Sequence, residues 1–263
     1  MLNGRGFGFR SSAFSLYFIL FFLFTYTPLF VLVIFSFNDS IVMAFPLKGF
    51  TLKWYQAFIS NETAILAIVN TIYVATASAC IATIAGLMAA LALVRHRFPG
   101  RELYTHVIMI PMIIPGILLG ISLLSLFSQS GVPLSLLTVM TGHALMGIPY
   151  ATLVIMARLI GFDPALEEAA MDLGADEIGT FKEVTFPIIF PGILVAFMLA
   201  FTVSLEDVAV AFFTIGYSPT LPIYVYGMMR YARMMPILTA IAVSMVLASI
   251  VLSIVQDFTR KTR

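Results

Sequence analysis

Charge is scarce in this sequence: Asp, Glu, Lys and Arg make up 10% of its 263 residues, whereas a soluble domain carries about 25%. The single cysteine, Cys80, excludes an intrachain disulfide and a cysteine-rich metal site. His96, His106 and His143 are widely separated and lack the spacing of metal ligands. A net charge of +1 provides no basic face for nucleic acid. These shortages exclude a soluble domain of ordinary composition, a disulfide scaffold and a general nucleic-acid binder.

Apolar residues are abundant instead, at 61% of the chain, and they occur in long runs rather than in alternation with polar residues. A helix needs about 20 apolar residues to cross the hydrocarbon core, whereas a membrane β-strand shows a period of two. The runs therefore predict an all-α, polytopic membrane protein with six transmembrane helices. The predicted spans cover residues 12–37, 64–93, 104–127, 136–157, 188–214 and 236–257.

Basic residues predict the orientation, because cytoplasmic loops carry an excess of Lys and Arg. With the N-terminus inside, ten of the fourteen basic residues lie on the cytoplasmic side, namely Arg5, Arg10, Arg95, Arg97, Arg101, Arg158, Lys182, Arg260, Lys261 and Arg263. The four on the outer side are Lys48, Lys53, Arg230 and Arg233. The sequence therefore predicts one membrane domain over residues 1–263, with both termini in the cytoplasm. Its outer loop covers residues 38–63 and its cytoplasmic loop covers residues 158–187.

The cytoplasmic loop contains the segment EEAAMDLGADEIGTFKEVTFP, residues 167–187, which holds six of the thirteen acidic residues. Asp163 and Pro164 predict a helix start, because Asp accepts hydrogen bonds from free N–H groups and Pro suits the first helical position. Gly174 can end this helix by taking a left-handed conformation. A second short helix is predicted before the fifth span begins, so the segment is expected to form a helix–turn–helix plate.

The first of these two helices is predicted to be amphipathic. Its apolar face, at positions i, i+3, i+4 and i+7, consists of Leu166, Ala169, Ala170 and Leu173. The remaining surface carries Glu167, Glu168 and Asp172. The apolar face is expected to pack inward or against a partner protein. The alternative is a solvated loop whose charges keep it out of the bilayer.

Two glycines in the same segment, Gly174 and Gly179, have the separation found in a phosphate-binding loop. Such a loop requires Lys and then Ser or Thr directly after the second glycine, and here Thr180 and Phe181 follow. No strand is predicted before it. The chain is therefore not expected to bind ATP at this position.

Glu168-Ala169-Ala170, three residues, Gly174, nine residues and then Val184-Thr185-Phe186-Pro187 follow one another in this segment. This arrangement resembles the EAA loop of ABC-importer permease subunits, whose pattern is Glu-Ala-Ala, three residues, Gly, nine residues and Ile-x-Leu-Pro. The two departures, at the Ile and Leu positions, are apolar replacements. Three further motifs are similar to permeases of the spermidine/putrescine type, in particular to the second, six-span permease: Ser36-Phe37-Asn38, the run 49–55 and Thr220-Leu221-Pro222.

The resemblance implies a type I ABC-importer permease fold and a non-enzymatic subunit of an ATP-driven importer in a bacterial cytoplasmic (inner) membrane. It implies a second permease subunit, two ATPase subunits that bind ATP and Mg, an extracytoplasmic substrate-binding protein, and no cofactor in this chain. The loop would be a pair of coupling helices docked in a groove of the ATPase. Glu168 would contact the ATPase, and Gly174 would permit the turn between the two helices. The implied coupling residues are Glu167, Glu168, Ala169, Ala170, Asp172 and Gly174.

Two adjacent acids, Glu206 and Asp207, fall within the fifth predicted span, and charges inside a span are functional candidates. The pair lies about 27 Å along that helix, in the outer part of the bilayer. Two carboxylates facing a water-filled pathway would attract a cation. Alternatively, the pair is hydrated near the outer interface or pairs with Arg230 or Arg233. Polyamine permeases are similar here, which favours putrescine or spermidine as the substrate.

Proline motifs predict kinks or breaks in two spans, at residues 109–116 in the third and 147–149 in the fourth. Such breaks line transport sites in some transporters, and elsewhere they are merely tolerated. His143, alone in the fourth span, is interpreted as a hydrogen-bonded structural residue rather than a ligand.

Two other functions, an intramembrane protease and a self-sufficient secondary transporter, fit these features less well. An intramembrane protease would need His-Glu-x-x-His or Gly-x-Gly-Asp, and the sequence contains neither, although a lone serine with His143 stays open. A self-sufficient secondary transporter usually carries inverted repeats, no convincing repeat is present, and its acidic loop would lack a partner. Permeases that resemble this chain also handle opines, aminoalkyl phosphonates and 4-aminobutyrate, so the substrate stays open among small solutes.

Overall fold

The computed structural model describes the backbone of residues 6–261, and the side chains of residues 14–247 and of residue 250. Several basic residues that predict the orientation of the termini lie outside the described backbone or side chains, namely Arg5, Arg10, Arg260, Lys261 and Arg263. The described part is helical and contains no β-strand, only an isolated bridge between Asn38 and Phe50. The all-α prediction is therefore confirmed.

Twelve α-helices follow one another along the described backbone. They are α1 Gly6–Ser36, α2 Lys53–Ile59, α3 Glu62–Arg95, α4 Arg101–Ile113, α5 Gly116–Gln129, α6 Leu136–Ile160, α7 Ala165–Asp172, α8 Glu177–Thr180, α9 Phe186–Glu206, α10 Ala209–Thr214, α11 Leu221–Met228 and α12 Met235–Lys261. A π-helical turn, Phe181–Thr185, joins α8 to α9, and a 3₁₀ turn, Ala232–Met234, precedes α12.

Four helical segments are long and apolar enough to cross a membrane: Phe14–Ser36, Glu62–Arg95, Leu136–Ile160 and Glu177–Glu206. The pair α4–α5 makes a fifth if it is counted as one bent span. Within the described side chains, the sixth predicted span has only the shorter apolar helix Ala232–Leu247. Within the described residues, length and composition thus give four or five candidate spans, and a count of six stays a prediction.

The third predicted span is broken rather than continuous. Its halves, α4 and α5, meet at an angle of 106°. Ile114 is extended, with φ −70° and ψ 129°, because the ring of the following Pro115 disfavours a helical conformation at the residue before it. The prediction of a kink or break here is confirmed. The fourth span is not broken, since α6 continues through Pro149, and a kink at this position stays a prediction.

The chain divides into two compact units, the first of which comprises residues 1–62 and 227–263. In this unit α12 packs against α1 and α2. Asn38 orders the connection between α1 and α2: its Oδ1 accepts a 3.0 Å hydrogen bond from the Lys48 amide, and its carbonyl accepts a 2.8 Å bond from Trp54 Nε1. The predicted outer loop is therefore a folded segment with internal hydrogen bonds.

The second unit, residues 63–226, contains the packed core of α3, α6 and α9. Its buried members include Ala90 on α3, Ala151 and Ile155 on α6, and Ile189 and Ala196 on α9. Small residues dominate these contacts because, without a hydrophobic drive between helices in lipid, close backbone approach supplies the packing energy. This unit contains both candidate site regions, the acidic loop after α6 and the acidic pair at the end of α9.

Candidate functional site

The acidic loop, residues 158–187, folds as the sequence predicts at its first helix. The Asp163 carboxylate accepts a 3.0 Å hydrogen bond from the Ala165 amide, and α7 begins there. Gly174 ends the helix with φ +96°. The Ala175 amide then donates a 3.1 Å hydrogen bond to the Ala170 carbonyl. This closing bond and a left-handed glycine form a standard helix C-terminus, so the predicted turn at Gly174 is confirmed.

The second helix of the loop differs from the prediction in being continuous with the fifth span. Asp176 begins it, since its carboxylate accepts a 2.8 Å hydrogen bond from the Gly179 amide. α8 then passes through the π-helical turn directly into α9, and the segment Glu177–Glu206 qualifies as a single span candidate. The acidic loop therefore continues into a membrane-span candidate without a break in the helical structure.

Most of the α7 surface is exposed in this chain. Leu173 is 91% exposed and Leu166 49%, and Glu168, Ala169 and Asp172 are exposed as well. The apolar face is therefore largely exposed in this chain, with only Ala170 half-buried, and its cover by a partner protein stays a prediction beside the alternative of a solvated loop. Protein interfaces combine an apolar centre with a polar, solvent-accessible rim.

Glu167 does not lie on the exposed surface where the helical pattern places it. Its side chain is 18% exposed, and its Oε1 lies 3.0 Å from Nη2 of Arg95, the last residue of α3. The same Oε1 accepts a 2.6 Å hydrogen bond from the buried hydroxyl of Thr185, at the end of the π-helical turn. Among the six predicted coupling residues, this carboxylate is thus already bound within the chain.

The acidic pair, Glu206 and Asp207, lies at a helix end rather than within a span. α9 stops at Glu206, Asp207 is extended with ψ 129°, and the separate helix α10 follows. The predicted continuous span over 188–214 is therefore wrong beyond residue 206. The two acids have different environments, because Glu206 is exposed whereas the Asp207 side chain is 7% exposed.

Asp207 is held by three donors. Its Oδ2 accepts 2.9 Å hydrogen bonds from the amides of Val210 and Ala211, and it lies 3.1 Å from His143 Nε2. His143 Nδ1 lies 2.7 Å from the Ser204 hydroxyl. A proton on Nε2 satisfies every partner, since Ser204 then donates to Nδ1 and Nε2 donates to Asp207. The interpretation of His143 as a hydrogen-bonded structural residue is confirmed.

The Ser204–His143–Asp207 chain contains the residue types of a hydrolytic triad. A nucleophilic serine must reach the carbonyl carbon of a substrate, but Ser204 is 4% exposed and His143 3%. The carboxylate is also occupied in beginning α10. The arrangement fixes the break between α9 and α10 and gives no support to an intramembrane protease.

Three residues of these networks were not recognised from the sequence as site residues. In the sequence, Arg95 indicates only a positive charge, Thr185 is only part of a motif, and Ser204 has no distinguishing feature. None carries a local signal, because the contact partner is distant in the sequence. Arg95 contacts Glu167, 72 positions away, and Ser204 contacts His143, 61 positions away. Thr185 contacts Glu167 from the other end of the loop, 18 positions away.

The described residues thus combine a helical core of membrane-span candidates, an exposed helix–turn–helix loop and a helix that breaks beside an exposed acid. Comparison with known proteins shows which class has this architecture. The family model of the binding-protein-dependent transport system inner membrane component matches residues 82–262. The chain belongs to this family, and it is a multi-pass permease subunit of an ABC importer.

Individual relatives agree with this assignment. The chain is 35% identical over 239 residues to the spermidine/putrescine transport system permease protein PotC of Haemophilus influenzae, covering 90% of this chain and 92% of the relative. It is 36% identical over 217 residues to the putrescine transport system permease protein PotI of Escherichia coli, covering 80% and 77%. A bacterial ABC transporter involved in alginate import shares the fold, with a TM-score of 0.75 at 16% identity over 98% of this chain and 99% of that chain.

Proposed function

We propose that this subunit imports a small cationic amine, of the putrescine or spermidine class, through six spans with both termini in the cytoplasm. The exposed surface of α7 carries the proposal, because an apolar side chain that is 91% exposed, Leu173, lies next to exposed Glu168 and Asp172. Leu166 and Met171 are exposed beside it, and a cluster of exposed apolar side chains supports a contact with a partner protein. The partner is a cytoplasmic ATPase, and ATP and Mg bind to that protein, with no cofactor in this chain.

In the assembled importer, this chain pairs with a second permease subunit, two ATPase subunits and an extracytoplasmic substrate-binding protein. The family description as a binding-protein-dependent system supports this composition. So does a structural neighbour, a bacterial alginate ABC transporter in complex with a pentasaccharide-bound periplasmic protein. Closure of the two ATPases moves the acidic loops, and the spans alternate between outward-open and inward-open states.

The substrate class follows from the end of α9. Glu206 is exposed where the helix breaks, and a carboxylate at this position favours an ammonium group. The names of the relatives, which are permeases for spermidine and putrescine, support the same class. The alternative is another small solute, such as an opine, an aminoalkyl phosphonate or 4-aminobutyrate. Each of these carries an acidic group that the Glu206 carboxylate would repel, so its uptake would depend less on the Glu206 charge.

The docking of the ATPase is tested by reversing the charge of one exposed acid in the loop, Glu168. We expect Glu168→Lys to lower recovery of the ATPase with the purified chain by about 10-fold or more, since reversing a charge at an interface places like charges together. Recovery is measured by gentle detergent purification from the native membrane. The matched control is Glu102→Lys, at an acid on α4 that is also exposed, and it should leave recovery unchanged.

A wild-type chain that elutes as a folded species without any ATPase would contradict the importer assignment and favour a self-sufficient transporter. An ATPase that stays bound to the Glu168→Lys variant would keep the importer and remove Glu168 from the docking surface.

The substrate class is tested at Glu206. Glu206→Gln should raise the KM for putrescine uptake into proteoliposomes of the assembled importer by about 10-fold, because a hydrogen bond to a charged group contributes roughly 1.5–3 kcal/mol. Glu62→Gln, a substitution at another exposed acid, is the matched control and should have no effect. An unchanged KM for putrescine in Glu206→Gln would separate Glu206 from the substrate pathway.

A further inference from the structure

We infer that Glu167 is a positioning residue that transmits movement of the acidic loop to α3 and α9, rather than a contact for the ATPase. The inference rests on the proposed function, since it assigns a role within the coupling of ATP hydrolysis to transport. It separates two neighbouring carboxylates: Glu168 faces outward, whereas Glu167 faces the protein.

One oxygen atom of Glu167 joins three elements. Oε1 lies 3.0 Å from the guanidinium of Arg95, at the end of α3, and accepts a 2.6 Å bond from Thr185, directly before α9. Glu167 itself belongs to α7. A displacement of α7 is therefore passed to two membrane-spanning helices at the same point, without depending on the turn at Gly174.

Arg95 is itself fixed in place. Its guanidinium lies 5.3 Å from the centre of the Phe162 ring, and Phe162 is 6% exposed between α6 and α7. An Arg over an aromatic face keeps its planar group oriented at low entropic cost. The charged pair therefore has a defined geometry, unlike a surface ion pair between two mobile side chains.

The helix that receives this movement is long and well packed. α3 has 34 residues, and its Ser78 hydroxyl donates a 3.2 Å hydrogen bond to the Met140 carbonyl of α6. Ala82 and Ala90 are fully buried. Because packed helices move as rigid bodies rather than bending continuously, a displacement at Arg95 reaches the far end of α3.

The first test separates coupling from docking in the assembled importer. We expect Glu167→Gln to retain the ATPase in co-purification and yet to lower the substrate transported per ATP hydrolysed by about 2- to 30-fold, the range for residues inside a coupling network. Thr185→Val should lower it less, and Glu102→Gln, an exposed control, should leave it unchanged. Loss of the ATPase from Glu167→Gln, as expected for Glu168→Lys, would overturn the inference.

A cross-linking test addresses the same link without relying on a loss of function alone. In a Cys80→Ser background, which has no other cysteine, Arg95→Cys and Glu167→Cys are combined. They are joined by a bifunctional methanethiosulfonate with a flexible spacer, in which each thiolate displaces methanesulfinate and forms a reducible disulfide. The double variant should transport poorly per ATP, the cross-link should restore transport, and a reductant should reverse the restoration. The single-cysteine variants are the control and should not respond.

If the cross-linked importer transports substrate, positions 95 and 167 move together during the transport cycle. Cross-linking that blocks transport would show that Arg95 and Glu167 must separate during the cycle, which overturns a fixed link. Failure of the proposed function itself is recognised separately, because the unmodified chain would then purify without an ATPase.

Discussion

Asp207→Ala is expected to destabilise the protein by about 3–5 kcal/mol, because it removes the acceptor of three buried donors and each buried donor left unsatisfied costs roughly 1–3 kcal/mol. The His143 side chain is 2% exposed, so its Nε2–H would lose its acceptor where water does not replace it. The amides of Val210 and Ala211 would lose theirs as well. A shift of roughly 10 °C in the melting midpoint corresponds to this loss.

The measurement is the fraction of the detergent-solubilised chain that stays monodisperse after heating. Asp207→Asn should recover most of the stability, because an Asn side chain also accepts hydrogen bonds from amides at a helix start. Glu206→Ala, at the exposed neighbour, should change the midpoint little. An Asp207→Ala variant as stable as the original would show that the carboxylate does not hold the break between α9 and α10.

Prediction from the sequence was most accurate where local chemistry decides the structure. Asp163 and Gly174 act on amides and carbonyls within a few residues, so the start and the end of α7 follow from their types alone. Pro115 similarly restricts only its neighbour, and the break between α4 and α5 was predicted from it. The helical membrane class follows from the length of the apolar runs.

Contacts between distant segments were not predictable in this way. Helical periodicity placed Glu167 among the surface acids, but it contains no information on Arg95, 72 positions away, which draws the carboxylate inward. The end of α9 was missed for a related reason. The run over 188–214 is apolar enough to be one helix, and the break depends on the Asp207 side chain capturing the first amides of α10.

The acidic pair shows how adjacent residues of one type acquire different roles. The sequence treats Glu206 and Asp207 as equivalent carboxylates. In the structure, Asp207 is bound by His143 and by two amides, which leaves Glu206 as the exposed charge at the helix end. The Asp207 network therefore fixes the position at which Glu206 is presented, and mutations at the two sites should affect stability and transport respectively.

Gly86→Val is expected to be the most damaging substitution in the packed core of α3, α6 and α9. A Cβ at this position would lie 2.7 Å from the Cβ of Ala151 and 2.9 Å from the backbone amide of Thr152 on α6. Backbone atoms cannot rotate away as the end of a long side chain can, so the helices must separate. Overpacking of this kind costs about 1–3 kcal/mol, and the two further methyl groups of Val place it at the upper end.

The matched control is Gly227→Val on α11, where an added Cβ meets nothing within 4 Å. Gly227→Val should leave the melting midpoint nearly unchanged, and Gly86→Ala should fall between the two Val variants. Because α3 ends at Arg95 and α6 leads through Phe162 into the acidic loop, separation of α3 from α6 should also lower transport per ATP at temperatures where Gly86→Val remains folded. Equal stability of the two Val variants would mean that α3 and α6 do not approach closely in the membrane.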